Sequence, residues 1–155
     1  MNNQSQIKGH RNLRQGRCSQ EGGIYLITST TWRRVQVFAE WRYAYAAIQA
    51  FTGDEVLKDA QLLAWVLMPD HVHWLVQLGQ DRDLRSLIGV MKSASARAVG
   101  DAGYTPQVWS RAYYDRAIRS EECIASAARY IVANPLRAGL VQSVGNYPFW
   151  NAIYL

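Results

Sequence analysis

The chain has 155 residues, 49% of them hydrophobic, and a formal net charge of +5. That length suits a single domain with a real core, and no uninterrupted apolar run approaches the roughly 18 residues of a transmembrane helix. The polar, basic N-terminus lacks the apolar stretch of a secretory signal, and Cys18 and Cys123 form no CxxC pair, so a reducing cytoplasm is the expected compartment.

Residues 1–20 read as a basic arm, with Lys8, Arg11, Arg14 and Arg17 and no acid before Glu21. Of the 17 Lys and Arg residues in the chain, 14 are Arg. Arginine forks bind phosphate bidentately and stack on bases, so this balance points to a nucleic-acid partner, with a solvated basic surface as the equal alternative on charge alone. Residues 21–155 read as one domain, with no repeat or linker dividing them.

"GIYLITSTT" (Gly23–Thr31) is β-branched and aromatic and predicts a strand. "AEWRYAYAAIQAF" (Ala39–Phe51) predicts a helix, with Gly53 as its stop. "AQLLAWVL" (Ala60–Leu67) and "HVHWLVQL" (His71–Leu78) predict an antiparallel hairpin turned by Met68-Pro69-Asp70, because proline cannot continue a central strand. "DLRSLIGVMKSASARAVG" predicts a helix capped by Asp83 and closed by Gly100. "AYYDRAI" (Ala112–Ile118) predicts a short strand. "SEECIASAARYIVAN" predicts a third helix, capped by Ser120 and stopped at Asn134 by Pro135. This order suits an α+β fold, a ferredoxin-like sandwich with helices packed on one face of an antiparallel sheet.

Two of the three histidines fall in "MPDHVHWLV" (Met68–Val76). Side chains alternate along a strand, so His71 and His73 share one face, about 7 Å apart at Cα. A pair at that spacing can chelate a cation, or can be surface residues bonded to a neighbouring strand. On the third helix Tyr130 and Asn134 are four residues apart, hence on one face and about 6 Å apart along the axis. Taken singly, the tyrosine reads better as a core-edge residue, and the amide as an ordinary residue before proline, than either does as a functional group. The combination is what points to a site.

"MPDHVHWLV" resembles the HUH motif of single-tyrosine transposases. "VWSRAYYDRAIRSEECIASAARYIVANPLRAGLV" (Val108–Val141) resembles the C-terminal signature of the REP-associated tyrosine transposases, and "GIYLITSTTWRRVQVF" (Gly23–Phe38) resembles their first-strand region. The similarity runs over about residues 22–150. It implies that His71, His73 and Asn134 bind a divalent cation, Mg²⁺ or Mn²⁺, and that Tyr130 is the nucleophile, with Tyr113 and Tyr114 as rivals. It further implies a DNA nickase and strand transferase acting on single-stranded DNA that carries a hairpin palindrome, through a 5′-phosphotyrosine intermediate. The alternatives are a palindrome-binding module that does not cut and a small rolling-circle-type HUH nickase. Arg14 and Arg17 on the arm, Lys92 and Arg97 on the second helix, and Arg111, Arg116 and Arg119 near the site are the expected DNA contacts. Trp109 or Tyr114 would stack bases. The expected protein works in the cytoplasm at the nucleoid, without a membrane, as a monomer or a homodimer.

Overall fold

The computed structural model describes residues 21–153 and 155, so the basic arm with Arg14 and Arg17 lies outside the described residues. Five strands form one antiparallel sheet: β1 (Ile24–Thr30), β2 (Gln61–Met68), β3 (His71–Gln77), β4 (Tyr114–Ile118) and β5 (Trp150–Ala152). Their order across the sheet is β4-β1-β3-β2-β5. The first four strands have the ferredoxin-like arrangement expected from the sequence; β5 is an addition that no pattern announced. The β2–β3 hairpin turns at Pro69-Asp70, and Met68 stands opposite His71 across it.

Alternation gives the sheet two unlike faces. Ile27, Trp65, Leu67, Val72, Trp74 and Val76 point to one face and pack against α1 (Trp41–Phe51) and α3 (Leu84–Asp101). Phe51 there meets Trp65 and Trp74 edge-on, with ring centroids 5.3 and 5.4 Å apart. Leu26, Leu63, Val66, Met68 and Leu75 point to the other face and pack against Ala127, Ala128 and Ile131 of α4 (Glu121–Val132). The helices therefore divide between the two faces, where the sequence led us to expect one. The reason is that β3 is apolar on both sides beyond the histidines, and Leu75 needs a cover as much as Trp74 does. This division brings α4 to the histidine face.

The helix ends follow local chemistry. Asp83 caps α3 by accepting from the Ser86 backbone N–H at 2.8 Å, and Ser120 caps α4 by accepting from Cys123 N–H. Gly100 does not close α3; the helix runs to Asp101, and Gly103 takes the left-handed conformation (φ 114) that turns the chain away. After α1 the chain runs through Thr52 and Gly53 directly into a single turn, α2 (Asp54–Leu57). Pro135 does not end the helical path as a breaker. α4 stops at Val132, and a new turn, α5 (Asn134–Arg137), starts with the proline near its N-terminus, where a missing N–H costs nothing.

Between β1 and α1, Arg33 and Arg34 are both left-handed (φ 55 and 57). Each residue with a β-carbon in that region costs about 1–2 kcal/mol. Among the described residues, no helix is long and apolar enough to cross a membrane.

Candidate active site

The register of the sheet places the polar groups of the site in a row. Thr28 of β1 stands opposite His73 of β3, and Thr30 opposite His71. On the far side of β1, Tyr114 stands opposite Thr28 and Arg116 opposite Leu26. Cross-strand partners share a face, so His73, Thr28, Tyr114 and Arg116 all lie on the side covered by α4.

The two imidazoles touch edge to face, with ring centroids 5.0 Å apart. Each is held through its Nδ1. His71 Nδ1 lies 2.8 Å from Asp70 Oδ1, and His73 Nδ1 lies 2.8 Å from Thr28 Oγ1. An ionised carboxylate only accepts, so His71 donates its Nδ1–H to Asp70, which leaves Nε2 as the ring nitrogen turned to other partners. His73 reaches the same state when its Nδ1–H donates to the threonine oxygen. Asp70 also accepts from Arg34 Nε at 3.0 Å. Burial works to raise the Asp70 pKa, but the hydrogen bond with His71 and the charge of Arg34 outweigh it and hold the carboxyl below its ordinary value. Burial, reinforced by the charges of His71 and Arg137, pulls His73 down from 6.5 to about 4. Neutral imidazole is the form that binds metal, so this environment keeps His73 competent through neutral pH.

These donors fit a divalent cation. Among the described residues no group of three His, Cys, Asp or Glu side chains comes together that could hold a metal ion. Asn134 is half-buried at the start of α5, beyond the end of the helix that carries Tyr130. A set of two imidazoles and an amide would suit Mn²⁺ or Mg²⁺.

The hydroxyl-bearing partner arrives from α4. Tyr130 is 53% exposed, and it lines a cavity of about 940 Å³ together with His73, Thr28, Arg116, Arg119 and Cys123. The Arg137 guanidinium lies over the Tyr130 ring, 4.0 Å from its centroid. Arg137 is seven residues on from Tyr130, two helical turns, and the helical path carries it across the junction at Ala133: Arg137 N–H donates to Ala133 O at 3.0 Å. Asn134 does not line this cavity, and neither does Tyr114, although Tyr114 is 69% exposed on the same face.

The expected DNA contacts separate clearly. Arg116 and Arg119 line the cavity with His73 and Tyr130. Lys92 and Arg97 lie on α3, behind the opposite face of the sheet. Lys92 Nζ donates to the Ser110 and Arg111 carbonyls at 2.6 and 3.3 Å, which makes it a brace for that loop. Arg111 is exposed beside it, in a separate groove on the α3 side. Trp109 is only 5% exposed and donates its Nε1–H to Ser95 Oγ, so it cannot receive a base. Sequence reasoning missed Thr28, Asp70 and Arg137. Asp70 sits inside the histidine motif itself and Arg137 inside the C-terminal signature, while Thr28 becomes visible only once the strand register is known.

A family model described as "Transposase IS200 like" matches residues 20–134. The chain belongs to the IS200-like transposase family. A REP-associated tyrosine transposase of Escherichia coli K12 is 30% identical over 91 residues, covering 57% of this chain and 52% of that protein. The chain thus spans about half the length of this E. coli relative. A Haemophilus influenzae Rd protein, provisionally named a REP-associated tyrosine transposase, is 25% identical over 145 residues, covering 83% and 79% of the two chains. Among solved structures, a REP-associated tyrosine transposase bound to a REP hairpin superposes with a TM-score of 0.68 at 26% identity, covering 86% of this chain and 79% of that one. The family member described here shares that α+β sandwich.

The His73 environment has a measurable consequence for this family member. In the metal-free protein the unfolded chain takes up a proton on this imidazole near pH 6.5, and the folded chain does so only near 4. Stability present above pH 6.5 is therefore lost as the pH falls from 6.5 towards 4, by up to about 3 kcal/mol from this group. Urea unfolding at pH 7, 5.5 and 4.5 should show a steeper acid loss in the wild type than in His73→Gln. Equal slopes would mean that His73 titrates normally.

Proposed function

We propose that this chain cuts and rejoins single-stranded DNA carrying a hairpin palindrome, with Tyr130 as nucleophile and His71, His73 and Asn134 as the holders of a divalent cation. The observation that carries the proposal is the shared cavity of Tyr130 and His73: a phenol and a metal-competent imidazole open onto the same space. Family membership and the likeness to a hairpin-bound relative support the choice of substrate.

The chemistry suits these residue types. A bound cation would withdraw electron density from phosphorus through a non-bridging oxygen. Arg116 and Arg119 bring positive charge to the same cavity and hold the backbone of the strand. Arg137, stacked on Tyr130, keeps the ring from swinging freely in solvent. The Tyr130 oxygen attacks the scissile phosphorus, its proton passing to solvent, and the bond to the 3′ oxygen breaks. That oxygen takes up a proton and leaves as a 3′-hydroxyl, while the 5′ phosphate stays on the tyrosine. One ester has been exchanged for another, so a second 3′-hydroxyl can reverse the step and join a new end without ATP.

The test is a denaturing gel of labelled hairpin oligonucleotides, cut from the DNA beside the gene and incubated with Mn²⁺ or Mg²⁺. A covalent protein–DNA band that chelator abolishes is expected. Tight hairpin binding with no adduct under either cation would instead identify a palindrome-binding module that does not cut.

A further inference from the structure

The turn that leaves β1 is costly in backbone conformation and is fastened to the histidine hairpin. Arg33 and Arg34 hold consecutive left-handed conformations, where glycine would sit without strain. The turn is nonetheless pinned on both sides. Thr31 N–H donates to Asp70 O at 2.9 Å, and Thr31 Oγ1 donates to Val35 O at 2.7 Å. Trp32 N–H donates to Val108 O at 2.9 Å, and Ser110 Oγ donates to Thr31 O at 3.0 Å. A strained turn held this firmly fixes the side chains it displays.

Three are displayed. Trp32 is 40% exposed, whereas Trp65, Trp74 and Trp109 are buried. The Arg33 guanidinium lies over the Trp32 ring, 5.5 Å from its centroid. Arg34 reaches Asp70, which holds His71, so a continuous chain of polar contacts runs from the turn to the histidine pair. In the register, Thr30 stands opposite His71, and Trp32 follows two residues later.

Resting on the function proposed above, we propose that the Trp32–Arg34 turn is the platform that receives unpaired nucleotides next to the scissile phosphate. The indole stacks one base, and Arg33 and Arg34 face its flanking phosphates. An unpaired base offers a free π-face, which bases stacked inside a duplex do not. A mixed indole–guanidinium surface matches the alternation of base and phosphate along a single strand, and Arg34 offsets the charge of Asp70, the acid next to the turn. The platform takes over the stacking role for which Trp109 is too buried.

The experiment uses the full chain carrying Tyr130→Phe, so that binding is read without cleavage. Fluorescence polarisation is measured with an oligodeoxythymidine of about twelve nucleotides, long enough for one protein, and with a blunt hairpin lacking unpaired ends. Trp32→Ala should weaken oligodeoxythymidine binding by a factor of about 5 to 150, Trp32→Phe should stay near the parent, and blunt-hairpin binding should not change. Arg33→Gly should raise the melting temperature, because glycine accepts the left-handed backbone, and still weaken oligodeoxythymidine binding. Parent-like binding in both Trp32→Ala and Arg33→Gly overturns the platform. So does an equal loss on both probes, or a change in sedimentation with no change in DNA affinity, which would mark the turn as a protein interface. Binding to thymidine does not depend on Tyr130 chemistry. The adduct test can therefore fail while this one succeeds, and the reverse.

Discussion

Tyr130→Phe is expected to abolish the covalent protein–DNA adduct, a loss on the order of 10³-fold or more, while hairpin affinity stays close to that of the wild type. The substitution removes one oxygen and keeps the ring that Arg137 covers at 4.0 Å, so packing and the guanidinium contact should survive. Tyr130 is more than half exposed, so its hydroxyl carries little of the fold. The informative comparison is Tyr114→Phe. That phenol lies on the same sheet face, more exposed than Tyr130, but outside the cavity that His73 lines. Tyr114→Phe should therefore leave the adduct intact. If the two variants exchange phenotypes, the nucleophile is on β4 and the role assigned to α4 is wrong.

The second large effect lies one bond away from the proposed metal ligands. Asp70→Ala and Thr28→Val should each lower Mn²⁺ affinity about 10- to 100-fold, as measured by calorimetric titration. Both side chains act on Nδ1 of a histidine, at 2.8 Å in each case, and so present Nε2 for coordination. Without Asp70, His71 is free to rotate or to adopt the other tautomer. Without the Thr28 hydroxyl, the mostly buried His73 has an Nδ1–H with no acceptor. Neither change should unfold the protein. The hairpin turn is held by the Asp70 backbone carbonyl, which accepts from Thr31, and valine keeps the β-branch that suits β1. Asp70→Asn, which keeps an acceptor oxygen, should lose less. Unchanged Mn²⁺ affinity in both Asp70→Ala and Thr28→Val, alongside a clear loss in His71→Ala, would show that the imidazoles need no such support.

Much of this was readable from the residues, for definite reasons. The β2–β3 hairpin was legible because Pro69 and Asp70 interrupt two apolar runs at a point where the chain has no alternative to a turn. The helices α3 and α4 were legible at their starts because Asp83 and Ser120 are capping residues in front of amphipathic stretches. What stayed hidden depended on partners distant in sequence. The apolar stripe of α4 says that it packs on the sheet but not on which face, since β3 offers Trp74 to one side and Leu75 to the other. β5 is three residues long, too short for any period, and its existence is set by the free edge of β2. Trp109 sits in a polar loop and reads as exposed, yet Ser95 on α3 draws its indole inside. At the site, the histidines and Tyr130 carry their own signatures, whereas the Thr28 contact with His73 exists only through strand register.

The last strand also bears on how the molecule behaves in concentrated solution. A central sheet has two rims, and an unprotected rim is a template for another chain. Here the edge strand β4 is short and carries a charge on each face, Asp115 and Arg116, and β2 is closed off by the short β5. The C-terminal segment is stitched on by Leu67 N–H to Phe149 O at 2.9 Å, Ile153 N–H to Leu63 O at 3.0 Å and the Tyr147 hydroxyl to Leu67 O. Trimming the chain back past Tyr147 would strip that cover and leave β2, the outer arm of the histidine hairpin, ready to pair with a stranger. Such a truncation should precipitate rather than merely lose activity, and a fusion partner attached at the C-terminus needs a spacer to keep the seal closed.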